Sequence, residues 1–411
     1  VVASGVVAGA FAIADELGGG FGQQNKFPME PQLLVLLDLQ ESRPDGRLDG
    51  FLRTTLTAMA SRGLRDHLAG GFFRYTVDPD WRTPHFEKML YNQALLARVY
   101  LRAADVLDEP LFADVARDTL DFVLNNMAGT DGGFIASLSA VDQQGREGGA
   151  YLWDEAALSD TLGQGEYQLA RAYWSLEEDV SPDQGLLPQR LRSPAEAARM
   201  AGLSEKAVEQ LVPQIRRKML DARARRLPPR DPKELTAWNG LLLWALADAV
   251  ALSPDSRYVE AAREVAGFVR TMWNGGGLFR ARDGSRVIGE ASLEDSAYVA
   301  AGLLRWSETG GDARSGRLAR EIAATAWDSY FDASLGWRMD ASGRLPAMPR
   351  DAAMQDGALP APSAVLIGVS RAMGVRRGLV DQALILSVKS VREAPVWHAT
   401  HAELLVTSAE G

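Results

Sequence analysis

The 411-residue sequence predicts an all-α protein of two concentric helix layers, arranged as six helical hairpins. Three observations carry this. Some helical segments are apolar on nearly every face and others on one face only. The two kinds alternate along the chain. A glycine-aromatic turn recurs at a spacing of roughly 50–60 residues, about two helices and two connections.

The segments at 86–101, 237–252, 297–306 and 361–373 are apolar almost all round and need cover on every side, so they form the inner layer. Residues 111–127, 257–273 and 318–331 carry one apolar stripe and one charged face, which fits an outer layer. In 257–273, for example, Tyr258, Ala262, Val265, Val269 and Trp273 share one face while Arg263, Glu264 and Arg270 lie off it.

Gly-Gly-Phe occurs at Gly19-Gly20-Phe21, Gly70-Gly71-Phe72 and Gly132-Gly133-Phe134. Looser copies are Gly185-Leu186, Gly276-Gly277-Leu278-Phe279 and Gly336-Trp337. Glycine permits the reversal and the aromatic closes over it. The longest gap between copies holds an Arg/Ala-rich insertion near 193–233, and the chain from about 380 reads as an irregular tail. The whole of 1–411 is expected to be one domain.

Composition excludes several classes. There are no cysteines, hence no disulfides, thiolate metal sites, iron–sulfur clusters or cysteine nucleophiles. A net charge of −10 argues against a nucleic-acid partner. The densest basic stretch, 216–230, reads as a solvated helix end, with contact to an anion as the alternative. No apolar run approaches the roughly 18–20 residues that cross a bilayer, so no membrane partner is expected. The first residues lack a basic region and break at Asp15 and Glu16, unlike a signal peptide. A cytoplasmic location is expected. Val rather than Met at position 1 suggests that something upstream has been removed.

Residues 66–75 (DHLAGGFFRY) lead through Asp78 and Trp81 to residues 84–91 (PHFEKMLY). With Gly20-Phe21-Gly22 and Lys26-Phe27-Pro28, Ser139-Ala140-Val141-Asp142, Glu147-Gly148, Tyr151-Leu152-Trp153, residues 236–241 (TAWNGL), residues 293–297 (LEDSA), Asp356-Gly357-Ala358 and Pro362-Ser363, this order resembles the C-terminal region of the spermatogenesis-associated protein 20 family, called thioredoxin domain-containing proteins in bacteria. The resemblance spans residues 19 to about 365. It implies an (α/α)6 toroid, a six-hairpin barrel with short β-hairpin loops over one end. That fold is related to N-acylglucosamine 2-epimerase and six-hairpin glycosidases. It also implies an upstream thioredoxin-like domain, which this chain lacks, and residue 1 falls about where the toroid begins. Without cysteine, thiol–disulfide chemistry is excluded here.

In such a toroid the motif loops meet over one end of a central cavity. The candidate catalytic residues are Glu87, Asp142, Glu147, Asp295, His67 and His85, with Asp66 beside His67. The candidate substrate-binding residues are Arg74, Tyr75, Trp81, Tyr91, Trp153, Trp238, Asn239 and Asp356. Acidic groups among aromatics suit a small saccharide, whose C–H faces stack on rings while hydroxyls bond to carboxylates and amides. Each has a plainer explanation: aromatics fill cores, and carboxylates cap helices. Glu87 is placed at a helix start, where the dipole favours its anion. No cofactor and no metal are expected; His398 and His401, near Glu403, read as structural.

Three readings follow. A glycoside hydrolase needs two carboxyls roughly 5–9.5 Å apart, one held protonated, and Glu87 or Asp295 facing Asp142 or Glu147 would supply them. A sugar epimerase needs two bases on opposite faces of an acidic C–H, for which His67 and His85 are the candidates. A non-catalytic glycan-binding toroid or interaction scaffold is the alternative to both.

Overall fold

The computed structural model describes residues 1–177, 185–341 and 350–409. Its helices are α1 (Val2–Ile13), α2 (Glu30–Ser42), α3 (Gly46–Ser61), α4 (Leu90–Val106), α5 (Pro110–Asn126), α6 (Glu155–Thr161), α7 (Gln164–Tyr173), α8 (Pro194–Ala201), α9 (Glu205–Arg223), α10 (Thr236–Leu252), α11 (Ser256–Thr271), α12 (Leu293–Gly310), α13 (Ala313–Tyr330), α14 (Pro362–Met373), α15 (Arg377–Glu393) and α16 (Ala399–Ala409).

Six of them close a ring. α2 packs on α4, α4 on α10, α10 on α12, α12 on α14, α14 on α16, and α16 returns to α2. Outside these lie α3, α5, α11, α13, α15 and α1. This is the (α/α)6 toroid. The inner helices carry the densest burial: Leu241, Leu242, Leu243, Ala245, Leu246 and Ala247 in α10 are all fully covered. The sixth hairpin joins the two ends of the chain, since outer α1 packs against inner α16.

The two ends of the ring differ. Inner-to-outer turns are short, and several are sealed by aspartate caps. Asp45, Asp255 and Asp312 accept the first free N–H groups of α3, α11 and α13. Outer-to-inner connections are long and carry the glycine turns. Bridges join Ala14 to Phe21, Arg65 to Phe72, Ala128 to Phe134 and Trp273 to Leu278, and Phe331 pairs with Trp337.

The first two turns repeat in detail. Asp15 and Asp66 each accept the N–H of the glycine four residues on, Gly19 and Gly70. A later lysine clasps each loop. Lys26 Nζ reaches Asp15 at 2.6 Å and the Gly19 carbonyl at 2.7 Å, and Lys88 Nζ reaches Asp66 at 2.7 Å and the Gly70 carbonyl at 2.8 Å. Gly71 sits at φ +71, and a Cβ there would lie 2.5 Å from the Phe122 ring, so only glycine fits.

Glycine also sets the tightest helix contact. A Cβ on Gly240 of α10 would sit 2.7 Å from the Val299 backbone nitrogen, and one on Gly302 of α12 would sit 2.4 Å from the Gly240 carbonyl oxygen.

Five expectations need correction. The helix placed at 86–101 starts at Leu90. Pro84-His85 pairs with Tyr75-Thr76, and Lys88-Met89 with Ser137-Leu138, so the preceding residues are held extended. Glu87 therefore gains no helix dipole. The departure from the ring is longer than 193–233, running from the end of α5 to α10. Helices α6–α9 bury Leu158, Leu169, Trp174, Val208, Ile215 and Met219 in a core of their own. Gly185-Leu186 belongs there, Leu186 pairing with Trp153, and is not a ring hairpin. The basic stretch is not simply solvated, because Arg223 is buried on Asp66. The tail from 380 is helical, α15 and α16 being the last outer and inner helices.

Candidate functional site

Inner helices begin at the long-loop end, so their first turns and the overlying loops share one face. Arg74, Tyr75, His85, Glu87 and Glu147 meet there. His85 Nδ1 lies 2.9 Å from Glu147 Oε1, and its Nε2 lies 3.9 Å from Glu87. Arg74 donates to Glu87 at 3.3 Å. Tyr75 is stacked between Phe27, at 4.5 Å, and His85, at 5.2 Å. The carboxylates keep solvent access, Glu87 at 24% and Glu147 at 47% side-chain exposure.

Below this rim, Tyr91 bonds to Arg74 and packs edge-on against Trp238 at 5.0 Å. Burial and the charges of Glu30 and Glu87 push its phenol up to about 12. Glu30, in the first turn of α2, accepts from Asn92 at 2.5 Å, and burial raises it to about 7. Glu294, in the first turn of α12, makes no hydrogen bond among the described residues and is raised by burial and by Asp295 beside it. Glu30 does not stand out in the sequence, and Glu294 appears there only within the 293–297 motif. The nearest signal is a glutamate in the first turn of a largely apolar helix.

The remaining candidates do structural work. Asp142 accepts from the N–H groups of Gln144 and Arg146, both at 2.9 Å, and so shapes the hairpin that carries Glu147. Asp295 caps α12 through Ser292 and accepts the Ala237 N–H at 3.0 Å, fixing α10 to α12. Asn239 clamps both backbone groups of Phe134, accepting its N–H at 2.8 Å and donating to its carbonyl at 3.0 Å. Asp356 accepts from Ala361 at 2.8 Å and from Thr400 at 2.9 Å, tying α14 to α16. Trp81 is buried with its indole donating to Gly19. Trp153 lies in the core of α6–α9. The carboxylates, Asn239 and the Trp81 indole are consumed by capping and hydrogen bonding, as buried polar groups generally are, while Trp153 packs with its indole N–H unpaired among the described residues.

His67 faces away from the ring interior, its Nε2 3.0 Å from the Arg62 carbonyl. Burial and Arg65 hold it down at about 3, so it stays neutral. His67 and His85 are thus not a pair of opposed bases. Ser363 holds His401 at 2.8 Å, and His398 lies 2.9 Å from the Ala394 carbonyl.

The ring axis holds a second feature. A cavity of about 380 Å³ is lined from all six inner helices, with Asp38, Arg98, Trp244, Asp248, Arg305 and Glu403 among its walls. Asp105 and the exposed Leu252 place its mouth at the short-turn end. Asp248 receives Arg98 at 2.8 Å and Arg305 at 2.7 Å, and Arg98 lies 3.6 Å over the Trp244 ring. Burial and a hydrogen bond to Asp38 raise Glu403 to about 8. The sequence signal was present: Arg98 with Arg102, and Trp244 with Asp248, recur four residues apart in helices apolar elsewhere.

Glu30 yields a pH prediction. Its folded value near 7 lies above the ordinary 4.5, so the native state keeps a proton that the unfolded chain releases. Its contribution should favour folding below about pH 4.5 and weaken as pH rises to 7. Glu30→Gln should flatten that part of the stability profile in urea melts and raise stability at pH 7.5. An unchanged slope would contradict the burial assigned to Glu30.

No protein-family model matches the chain. Human spermatogenesis-associated protein 20 is 30% identical over 398 residues, covering 85% of this chain and 50% of that protein. The chain thus spans about half the length of the curated relatives it matches. Among solved structures, a GH63 mannosylglycerate hydrolase from Thermus thermophilus in complex with glucose aligns at a TM-score of 0.51, with 12% identity, over 98% of this chain and 99% of that one. A GH76 α-mannanase from Bacteroides thetaiotaomicron aligns at 0.50, with 10% identity, over 98% and 81%. A cellobiose 2-epimerase from Spirochaeta thermophila aligns at 0.41, with 15% identity, over 89% and 93%. No helix among the described residues is long and apolar enough to cross a membrane.

Proposed function

From the premise that this chain belongs to the spermatogenesis-associated protein 20 family over the half of those proteins it spans, we propose that its long-loop end binds and processes a small saccharide. One observation carries the reading. Segments far apart in sequence, around Phe27, 74–91, Glu147 and Trp238, bring two solvent-reaching carboxylates, an imidazole and stacked aromatics to one face. Fold likeness to glycoside hydrolases adds the architecture and no chemistry.

Glycoside hydrolysis is favoured over epimerisation, because His67 and His85 are separated. One carboxyl of the Glu87–Glu147 pair, in its acid form, would protonate the leaving glycosidic oxygen. The other would take a proton from the water whose oxygen adds to the anomeric carbon. His85 sits between them, bonded to Glu147 and 3.9 Å from Glu87, and orients Glu147. Arg74 holds Glu87, Tyr91 bonds to Arg74, and the exposed Phe27 and half-buried Trp238 offer ring faces to the sugar.

Glu87→Gln and Glu147→Gln should each keep oligosaccharide binding, measured by calorimetry against soluble gluco- and manno-oligosaccharides. Release of reducing ends should fall by about 10²–10⁴-fold. A wild-type protein that binds without release is a binding module. If only Asp38→Asn and Glu403→Gln change binding or release, the site is the axial cavity, where the raised Glu403 and Trp244 favour a second location.

A further inference from the structure

Outside the ring, a groove of about 680 Å³ separates α3 and α5 from the α6–α9 unit. Five arginines line it: Arg62, Arg65, Arg190, Arg192 and Arg216. Asp118 is the carboxylate in its wall. It is shared by Arg65 at 2.8 Å and Arg216 at 3.2 Å. Arg192 is paired to Glu177, and Arg62 donates to the Asp80 carbonyl at 2.9 Å. In a chain of net charge −10 this is a concentrated patch of the opposite sign.

Arg190 is the unbalanced member. Its guanidinium lies flat over the Tyr173 ring at 4.0 Å. It makes no ion pair among the described residues, and its Nε is buried with no hydrogen-bond partner. The Nε of Arg65 is orphaned in the same way. A half-buried guanidinium beside a second one, which Asp118 already neutralises, is costly unless an anion completes its own pairing. Burial and Arg65 both pull Arg190 below its ordinary range, with Tyr173 acting the other way. His67, kept neutral in the same wall, adds a polar group without adding to the repulsion.

We propose that this groove is a binding site for a phosphate-bearing small molecule, with the phosphate bonded by Arg190, a member of the cluster that Asp118 does not neutralise. Guanidinium forks match phosphate oxygens in pairs, which lysines would not do. The groove volume exceeds that of a bare phosphate and leaves room for the rest of a phosphomonoester. The site is separate from the proposed saccharide face and does not depend on it.

The test uses the whole chain in low-salt buffer, titrated calorimetrically with inorganic phosphate, glycerol phosphate and pyrophosphate, with chloride at matched ionic strength as control. Binding by one or more phosphates at sub-millimolar concentration, weakened at least about tenfold in both Arg190→Ala and Arg190→Gln, is expected. Circular dichroism and urea melts should show that both variants stay folded. Inorganic phosphate binding as tightly as the esters assigns the site to the free ion, and tighter ester binding assigns it to a phosphorylated metabolite. No heat beyond the chloride control, or binding unaffected by the Arg190 variants, overturns the proposal.

Discussion

Asp66→Ala should lower unfolding free energy by about 3–5 kcal/mol, the cost of stripping one partner from a buried ion cluster. Asp66 receives Lys88 at 2.7 Å and Arg223 at 2.9 Å, and all three side chains are buried. Removing the carboxylate leaves two cations facing each other in a space lined by Phe73, Phe122 and Tyr151. It also frees the Leu68 N–H, now bonded to Asp66 at 3.0 Å. Because Arg223 ends α9, the α6–α9 unit should become sensitive to limited proteolysis at the same time. Lys88 and Arg223 hold the Asp66 carboxyl well below its ordinary 3.8. Its contribution should therefore be complete above about pH 4 and be lost only as pH falls further, toward the folded value. Urea melts of wild type and variant at pH 7 and pH 3 measure both parts. A variant as stable as wild type at pH 7 would falsify the assignment.

The second large effect is expected at the α10–α12 contact. Gly240→Val should cost about 3 kcal/mol, the upper part of the overpacking range. The added Cβ meets backbone at Val299 and Tyr298, not the end of a flexible side chain, so relief requires moving α12 as a body. Gly302→Ala presses on the Gly240 carbonyl from the other side. Once either substitution has parted the helices, the other should cost less. The double variant should thus be less destabilised than the sum of the singles, by more than about 0.5 kcal/mol. Strict additivity would mean that the two glycines do not share one contact.

Much of the ring was legible because burial leaves a periodic trace. The all-round apolar runs at 237–252 and 361–373 coincide with inner helices α10 and α14. The one-sided stripes at 111–127 and 257–273 coincide with outer α5 and α11. Chain ends were harder to read. α15 buries Val380, Ala383, Ser387 and Val391, a stripe diluted by small and polar residues. The α6–α9 unit hid because α6, α7 and α8 are short and the four helices bury their stripes largely on each other.

Candidate site residues divided for a physical reason. Loop carboxylates such as Asp142, Asp295 and Asp356 look alike in sequence whether they face a ligand or cap a backbone. Only the fold shows that neighbouring N–H groups already claim them. Glu87 and His85 stay open to solvent because their segment is held extended by short strands, and Glu147 reaches them from a separate hairpin, across a bridge from Val141. Within one dipeptide, buried Asp295 is the cap and Glu294 is left without a hydrogen bond among the described residues.

The pairing of α1 with α16 bears on how the ring is made. These helices touch across almost the whole length of the chain, so the contact has the largest loop-closure cost in the molecule. During synthesis, the flank of α2 that finally meets α16 has no partner until the last helix emerges. Five hairpins can zip in order through near neighbours, each bringing the next edge into place. The sixth cannot. An arc with two unsatisfied edges is therefore the natural late intermediate, and its edges match each other in shape and chemistry. At high concentration, two such arcs offer one another the same seams that each would otherwise close on itself, and exchange of α16 between chains is the expected misassembly.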